Sequence, residues 1–243
     1  MNKEQSLATT VASYELVARE YYDTERHPTC ANFRDASRIL FKRWLSEFNS
    51  RSLVCEIGAG KSLIAEILFE ANQELSGLVL VDESHSMLAY SERWRRAGVK
   101  LELASAMDLA CASESFDAVA SCLGDPYNTP SFWREVHRIL RPGGKCLFTT
   151  PSRDWAVAFR DGSNQDSMHS SEFELADRSR VFLPSHIYSE ADQIELIQSV
   201  GLKVLQVSGV SIQDLSGNKL SPKLLLSRGQ KASVVTGYLA LKE

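Results

Sequence analysis

The sequence predicts an α/β fold in which one mainly parallel sheet is flanked by helices, and three observations carry that prediction. From residue 52 to 150, short apolar runs of strand character alternate with stretches whose apolar residues recur every three to four positions. The first run leads straight into a Gly58-Ala59-Gly60 turn, and the second ends on an acid, Asp82. Strands that alternate with helices imply right-handed crossovers and parallel pairing rather than hairpins.

Taken in order, Val11, Tyr14, Ala18 and Tyr21 or Tyr22 have the spacing of one helix. Phe33, Ala36, Leu40, Trp44 and Phe48 have that of a second, and His27-Pro28-Thr29 separates the two. Residues 52–57 form the first strand, and Leu63, Ile64, Ile67 and Leu68 mark the helix beyond the glycine turn. Strand 78–82, helix 87–97, short strand 100–103 and longer strand 116–122 follow. Helix 132–140 stops before Pro142-Gly143-Gly144, and 145–150 is the next strand. Residues 151–185 are polar and irregular, with Trp155, Phe159, Phe173 and Phe182 scattered through them. A segment of that length predicts a lid or substrate-binding insertion. A helix over 190–200 and strands near 202–207 and 233–241 close the chain, with turn signals at Ser216-Gly217-Asn218 and Ser221-Pro222. The expected organisation is one domain: a helical cap over 1–48, a core over 50–150, an insertion over 151–185 and a C-terminal part over 186–243.

Composition narrows the function. At 243 residues, 44% hydrophobic and 24% charged, the chain suits one globular domain with a substantial core. A net charge of -4 lacks the basic surplus that phosphate contacts demand, so a nucleic-acid partner is not expected and a small-molecule one is. Five scattered cysteines without a C-x-x-C pair read as reduced thiols, and no His/Cys/Asp grouping has metal-ligand spacing, so no metal is expected. No apolar stretch is long enough to span a bilayer and residues 1–10 are polar, which predicts a cytoplasmic protein without a membrane partner. Oligomeric state leaves no signature.

Val54-Cys55-Glu56-Ile57-Gly58-Ala59-Gly60-Lys61-Ser62 is the densest signal, because glycine lets a backbone turn tightly against a ligand. A phosphate-binding P-loop would need a glycine where Cys55 stands, and a dinucleotide fingerprint would need one at Leu63. The E-x-G-x-G form fits. Downstream come Val81-Asp82-Glu83-Ser84-His85-Ser86-Met87-Leu88, Phe116-Asp117-Ala118-Val119 and Arg138-Ile139-Leu140-Arg141-Pro142-Gly143-Gly144. With these four segments in this order, the sequence resembles the class I, Rossmann-like S-adenosylmethionine-dependent methyltransferases of the small-molecule type, closely over 50–150 and loosely over 190–207. The resemblance implies a doubly wound, seven-stranded sheet.

It also implies residue roles. Glu56, Gly58, Ala59 and Gly60 would lie along the methionine portion of the cofactor, and Asp82 would hold the ribose hydroxyls. Glu83 and Met87 would flank the adenine. The run Ala104-Ser105-Ala106-Met107 would meet the adenine through Ser105, which stands where the family has an acid, the Ala106 backbone and the Met107 face. Cys122 and Leu123 would approach the sulfonium. The run from Ser13 to Asp23 looks like the family's Y-x-x-x-A-x-x-Y-D helix, which covers the cofactor and would bring Tyr14 and Tyr22 to it. The same run also reads as an amphipathic helix packing an aromatic stripe.

Methyl transfer from a sulfonium is an in-line displacement that needs a general base only when the acceptor must lose a proton. Candidates therefore come from position. Asp125-Pro126-Tyr127-Asn128 resembles the D/N-P-P-Y motif of amino-group methyltransferases, with one proline missing and a start three residues late; it also reads as a turn and N-cap before Phe132. Asp125 and Tyr127 are candidates on that basis, and His27 because imidazole titrates near neutrality. His169 and His186 flank the insertion, while His85 and His137 read as helix-surface residues. The expected reaction is methyl transfer from S-adenosylmethionine, giving S-adenosylhomocysteine, to O, N or C of a small molecule. A nucleic-acid or protein methyltransferase and a non-catalytic cofactor-binding regulator remain as alternatives.

Overall fold

The computed structural model describes residues 13–44, 52–159, 169–215, 219–225 and 232–243. Val11, Phe48 and the turn signal at Ser216-Gly217-Asn218 lie outside them. Helix α1 covers 13–21, and α2 (Pro28–Arg43) opens on a proline whose missing N–H would have had no partner there. The strands are β1 (Val54–Ile57), β2 (Leu78–Asp82), β3 (Lys100–Leu103), β4 (Phe116–Ser121), β5 (Leu140–Pro151), β6 (Ser170–Glu174), β7 (Arg180–Pro184), β8 (Leu202–Ser211) and β9 (Ser233–Lys242). Between them run α3 (Leu63–Glu70), α4 (His85–Leu88), α5 (Pro130–Ile139), α6 (Arg153–Phe159) and α7 (Glu190–Gln198).

Seven strands form one sheet in the order β3-β2-β1-β4-β5-β9-β8. The pairs from β3 through β5 are parallel, and β9 inserts antiparallel between β5 and β8. Strand alternation divides the core in two. Leu80, Ala118, Ala120 and Leu147 pack with Leu40, Phe41, Leu63 and Ile64 of α2 and α3. Cys55, Val119, Cys146 and Phe148 pack with Trp133, Val136 and Ile139 of α5 and Ile197 of α7. The doubly wound, mainly parallel seven-stranded sheet is the one expected.

Two expectations change. The helix expected over 87–97 is one α-turn, α4, followed by a 3-10 helix at Ala89–Ala97. The buried residues Leu88, Ser91 and Trp94 fall three apart, the repeat of a 3-10 rather than an α-helix. The described residues of the stretch expected to be irregular, 151–159 and 169–185, hold α6 and the antiparallel hairpin β6–β7. That ribbon buries just Phe173 and Leu183, against Val17 of α1, too few apolar residues to show a period. No helix among the described residues is long and apolar enough to cross a membrane.

Candidate active site

Strand order reverses between β1 and β4, the switch point where doubly wound sheets bind ligands. A cavity of about 260 Å³ lies there, with α1 and α2 across it. Gly58 and Gly60 turn with φ of 66° and 44°, strained for any side chain. A Cβ on Gly58 would strike the Tyr127 phenol, and one on Gly60 that of Tyr22. The protein's own tyrosines thus already require both glycines. The turn is tied to β2: Ala59 N–H donates to the Val81 carbonyl (2.9 Å) and Gly60 N–H to Asp82 Oδ2 (2.9 Å). Asp82 Oδ1 accepts from Ser84 N–H (2.9 Å). Burial pushes the Asp82 carboxyl up to about 6, against hydrogen bonds from Ser84 and Gly60 that favour its charged form.

Glu56, expected beside the methionine portion, is fully buried beneath α3 instead. Its Oε1 accepts from Leu63 N–H (3.0 Å), and its Oε2 from Ile64 N–H (3.3 Å) and the Ser62 hydroxyl. Helix N-termini leave N–H donors unpaired, and this acid satisfies them. Burial pushes it up to about 7, with Ser62 and Arg34 opposing.

On the adenine side expected from sequence, Glu83, Met87, Ala104 and Ala106 line the cavity. Ser105 and Met107 turn aside. Ser105 hydrogen-bonds Glu83 and accepts Met107 N–H (3.3 Å), while the Met107 sulfur accepts from Thr129 (3.6 Å). Cys122 and Leu123 do line the cavity. Leu123 holds φ of 56°, a strained conformation for a side chain, fixed by its N–H to Thr149 Oγ1 (3.0 Å). Burial pushes the Cys122 thiol up to about 11, with Arg34 opposing, so it stays protonated.

From the cap, Tyr14 and Tyr22 line the cavity. Tyr22 Oη accepts Lys61 N–H (2.9 Å), and the Arg34 guanidinium lies 5.7 Å over its ring. Glu15 fastens α1 to α4, accepting from Ser84 Oγ (2.8 Å) and Ser86 N–H (3.1 Å). Sequence reasoning missed Cys30 and Arg34 as cavity residues. They are four apart on α2, on a different face from the core positions Phe33, Ala36 and Leu40, and that spacing was the available signal.

The catalytic candidates are not equivalent. Tyr127 Oη donates to the Ile57 carbonyl (2.8 Å) and shares a hydrogen bond with Ser121 Oγ (2.8 Å). Burial keeps this phenol far above its ordinary value, so it stays protonated. Asp125 Oδ2 accepts from Ser185 Oγ (2.6 Å) and its carbonyl from His186 N–H (2.7 Å); its neighbours Pro126 and Tyr127 reach the cavity. The cap before Phe132 is supplied by Thr129 (3.4 Å), not by Asp125. His27 lines the cavity, its ring stacked on Phe173 at 4.0 Å between centroids. His169 and His186 pair with each other, 5.6 Å apart. Among the described residues, no three His, Cys, Asp or Glu side chains are grouped to hold a metal ion.

Residues 55–148 match the family model described as a methyltransferase domain. A chain of the Haloferax volcanii complex that contains the Trm112 methyltransferase activator is similar in fold, with TM-score 0.70 and 14% identity over 96% of this chain and 97% of that one. The DhpI–SAM–HEP complex has TM-score 0.66 and 16% identity over 99% of both chains. The Burkholderia thailandensis 1,6-didemethyltoxoflavin-N1-methyltransferase, solved with 1,6-didemethyltoxoflavin and S-adenosylhomocysteine, has TM-score 0.58 and 17% identity over 100% of this chain and 91% of that one. No curated protein matches the chain.

Proposed function

We propose that the chain, whose residues 55–148 match a methyltransferase domain, is a class I S-adenosylmethionine-dependent methyltransferase that methylates a small molecule enclosed beneath α1 and α2. The observation that carries the proposal is that the glycine turn, Asp82 and the aromatic residues of the cap all border one cavity. An acceptor must fit under two helices to meet the reacting end, which favours a compact molecule over a polymer. The net charge of -4 supports the same choice. So does the fold likeness to a Burkholderia enzyme solved with its small heterocycle bound.

The residues suit the cofactor. A tight turn whose Gly58 and Ala59 line the cavity and an acid, Asp82, at the end of β2 beside it are the features such a molecule needs. When bound, it supplies an electrophilic methyl carbon on a sulfonium. In our reading Gly58, Ala59 and Gly60 follow its methionine portion, with Tyr14 and Tyr22 closing over it from the cap. Asp82 accepts from the ribose hydroxyls. Glu83, Met87 and Ala106 flank the adenine, and Cys122 and Leu123 border the reacting end. Tyr127 and Tyr14 wall the acceptor side, exclude water and hold the acceptor in line, which can supply much of the acceleration. All five cysteines are free, which fits a reducing, cytoplasmic setting.

Calorimetric titration with S-adenosylmethionine and S-adenosylhomocysteine, with ATP and NAD as controls, is the first test. Micromolar binding of the first pair alone is expected. Labelled methyl should then pass to a small-molecule extract and not to RNA or protein fractions. Label in a polymer fraction would overturn the acceptor proposal.

A further inference from the structure

Outside the machinery just described, two buried polar atoms face each other without a hydrogen bond. They are Nε2 of His27 and Oε2 of Glu20, 3.6 Å apart. Neither atom makes a hydrogen bond, and charge holds them instead, with Glu20 Oε2 within ion-pair distance of both His27 and Arg26. Their surroundings are built. The His27 ring is stacked on Phe173 of the β6–β7 hairpin, which also stacks on Tyr21 at 5.9 Å. Glu20 Oε1 accepts Ala176 N–H from the same hairpin (3.0 Å), and Arg26 Nε lies 3.2 Å from Oε2. The carboxylate and the imidazole plane are thus each held from the hairpin, and His27 lines the cavity.

We propose that Glu20 and His27 form a proton-accepting pair at the acceptor end of the cavity, with Nε2–H aimed at Glu20 and Nδ1 left free as the base. The inference rests on the methyltransferase reading and narrows it to acceptors whose O–H or N–H proton must leave as the methyl arrives. In that step the acceptor's electron pair forms the bond to the methyl carbon, and the carbon–sulfur bond breaks with its pair left on sulfur. The acceptor's proton passes to His27 Nδ1, and the imidazolium formed is balanced by Glu20. The 3.6 Å separation is long for a hydrogen bond, and catalytic contacts of this kind commonly tighten only when the site fills. Burial lowers the His27 pKa and keeps the ring neutral, while Glu20 and Asp23 raise it and Arg26 lowers it. The hairpin packed against the ring presents Phe173 and the Ala176 amide to the pair.

The test uses ¹⁵N-imidazole NMR on the full chain saturated with S-adenosylhomocysteine, with His27→Asn identifying the resonance. We expect a neutral ring at pH 7 protonated at Nε2. Glu20→Gln should lower the imidazolium pKa by about one unit, a tenfold loss of proton affinity, since the carboxylate charge is gone but the acceptor oxygen remains. Glu20→Ala should in addition abolish the tautomer preference. A ring protonated at Nδ1, or a pKa unmoved by Glu20→Gln, would overturn the proposal. Failure of S-adenosylhomocysteine to bind the unsubstituted protein would instead remove the methyltransferase reading, so the two failures are distinct.

Discussion

Asp82 Oδ2 accepts the backbone N–H of Gly60 at 2.9 Å, which ties the end of β2 to the turn after β1. A carboxylate held by its neighbours' amides is preorganised for the ribose hydroxyls that the proposed cofactor would present. Asp82→Ala should therefore weaken S-adenosylmethionine binding at least tenfold, about 1.4 kcal/mol. Calorimetry that shows an unchanged Kd would remove the ribose assignment.

The same carboxyl gives a pH dependence. Burial raises it to about 6, and the hydrogen bonds from Ser84 and Gly60 favour its ionised form. The sign follows: Kd should be flat above that value and rise as pH falls through it, approaching tenfold per unit. In Asp82→Asn the slope should vanish, and a titration series in overlapping buffers checks both.

Tyr22 and Tyr127 rest against the glycine turn, so Gly60→Ala and Gly58→Ala combine a strained φ with a collision. Each should lower stability by about 1–3 kcal/mol and abolish cofactor binding. Pairing Gly58→Ala with Tyr127→Ala should recover part of the melting temperature but none of the binding. Full recovery of binding would mean that the glycine serves Tyr127 alone.

The turn, the two halves of the sheet and Asp82 were legible because each rests on local chemistry: glycine where φ is positive, apolar alternation in buried strands, an acid at a strand end. Glu56 was misplaced because an acid in E-x-G-x-G has two customers, a ligand and the N-terminus of the helix that follows, and spacing does not choose between them. Here Leu63 and Ile64 claim it. Ser105 and Met107 were misplaced for a related reason: their partners, Glu83 and Thr129, are distant in the chain. The hairpin escaped notice because Phe173 and Leu183 make too small a face to give a period.

Glu56 should also mark the stability of the fold. Its carboxyl sits at about 7 in the folded chain against an ordinary 4.5. A group raised on folding contributes stability that is complete below its unfolded pKa and lost as pH rises through the folded one. The melting temperature should thus decline between about pH 5 and pH 8, and Glu56→Gln should flatten that decline. Glu56→Ala should cost about 1–3 kcal/mol at any pH, because it strands the Leu63 and Ile64 amides. An equal slope in wild type and Glu56→Gln would show that another group titrates.

Asn128 supplies the contrast, a polar residue next to the cavity with a purely structural role. It is fully buried, and its amide donates to the His186 carbonyl (3.0 Å) and to Gln193 Oε1 (2.6 Å). Its Oδ1 accepts from Trp133 Nε1 (2.9 Å) and Gln193 Nε2 (3.2 Å). Every donor and acceptor is used, so the residue pins α5, α7 and the turn carrying Tyr127 together and leaves nothing for a ligand. Asn128→Ala would leave the Trp133 and Gln193 groups unpaired in the core, and should cost about 2–4 kcal/mol in denaturant unfolding. At a temperature where the variant is folded, its Kd for S-adenosylhomocysteine should stay within twofold of wild type. A tenfold loss would show that the turn after β4, and not the glycine turn and Asp82 alone, sets the cofactor's position.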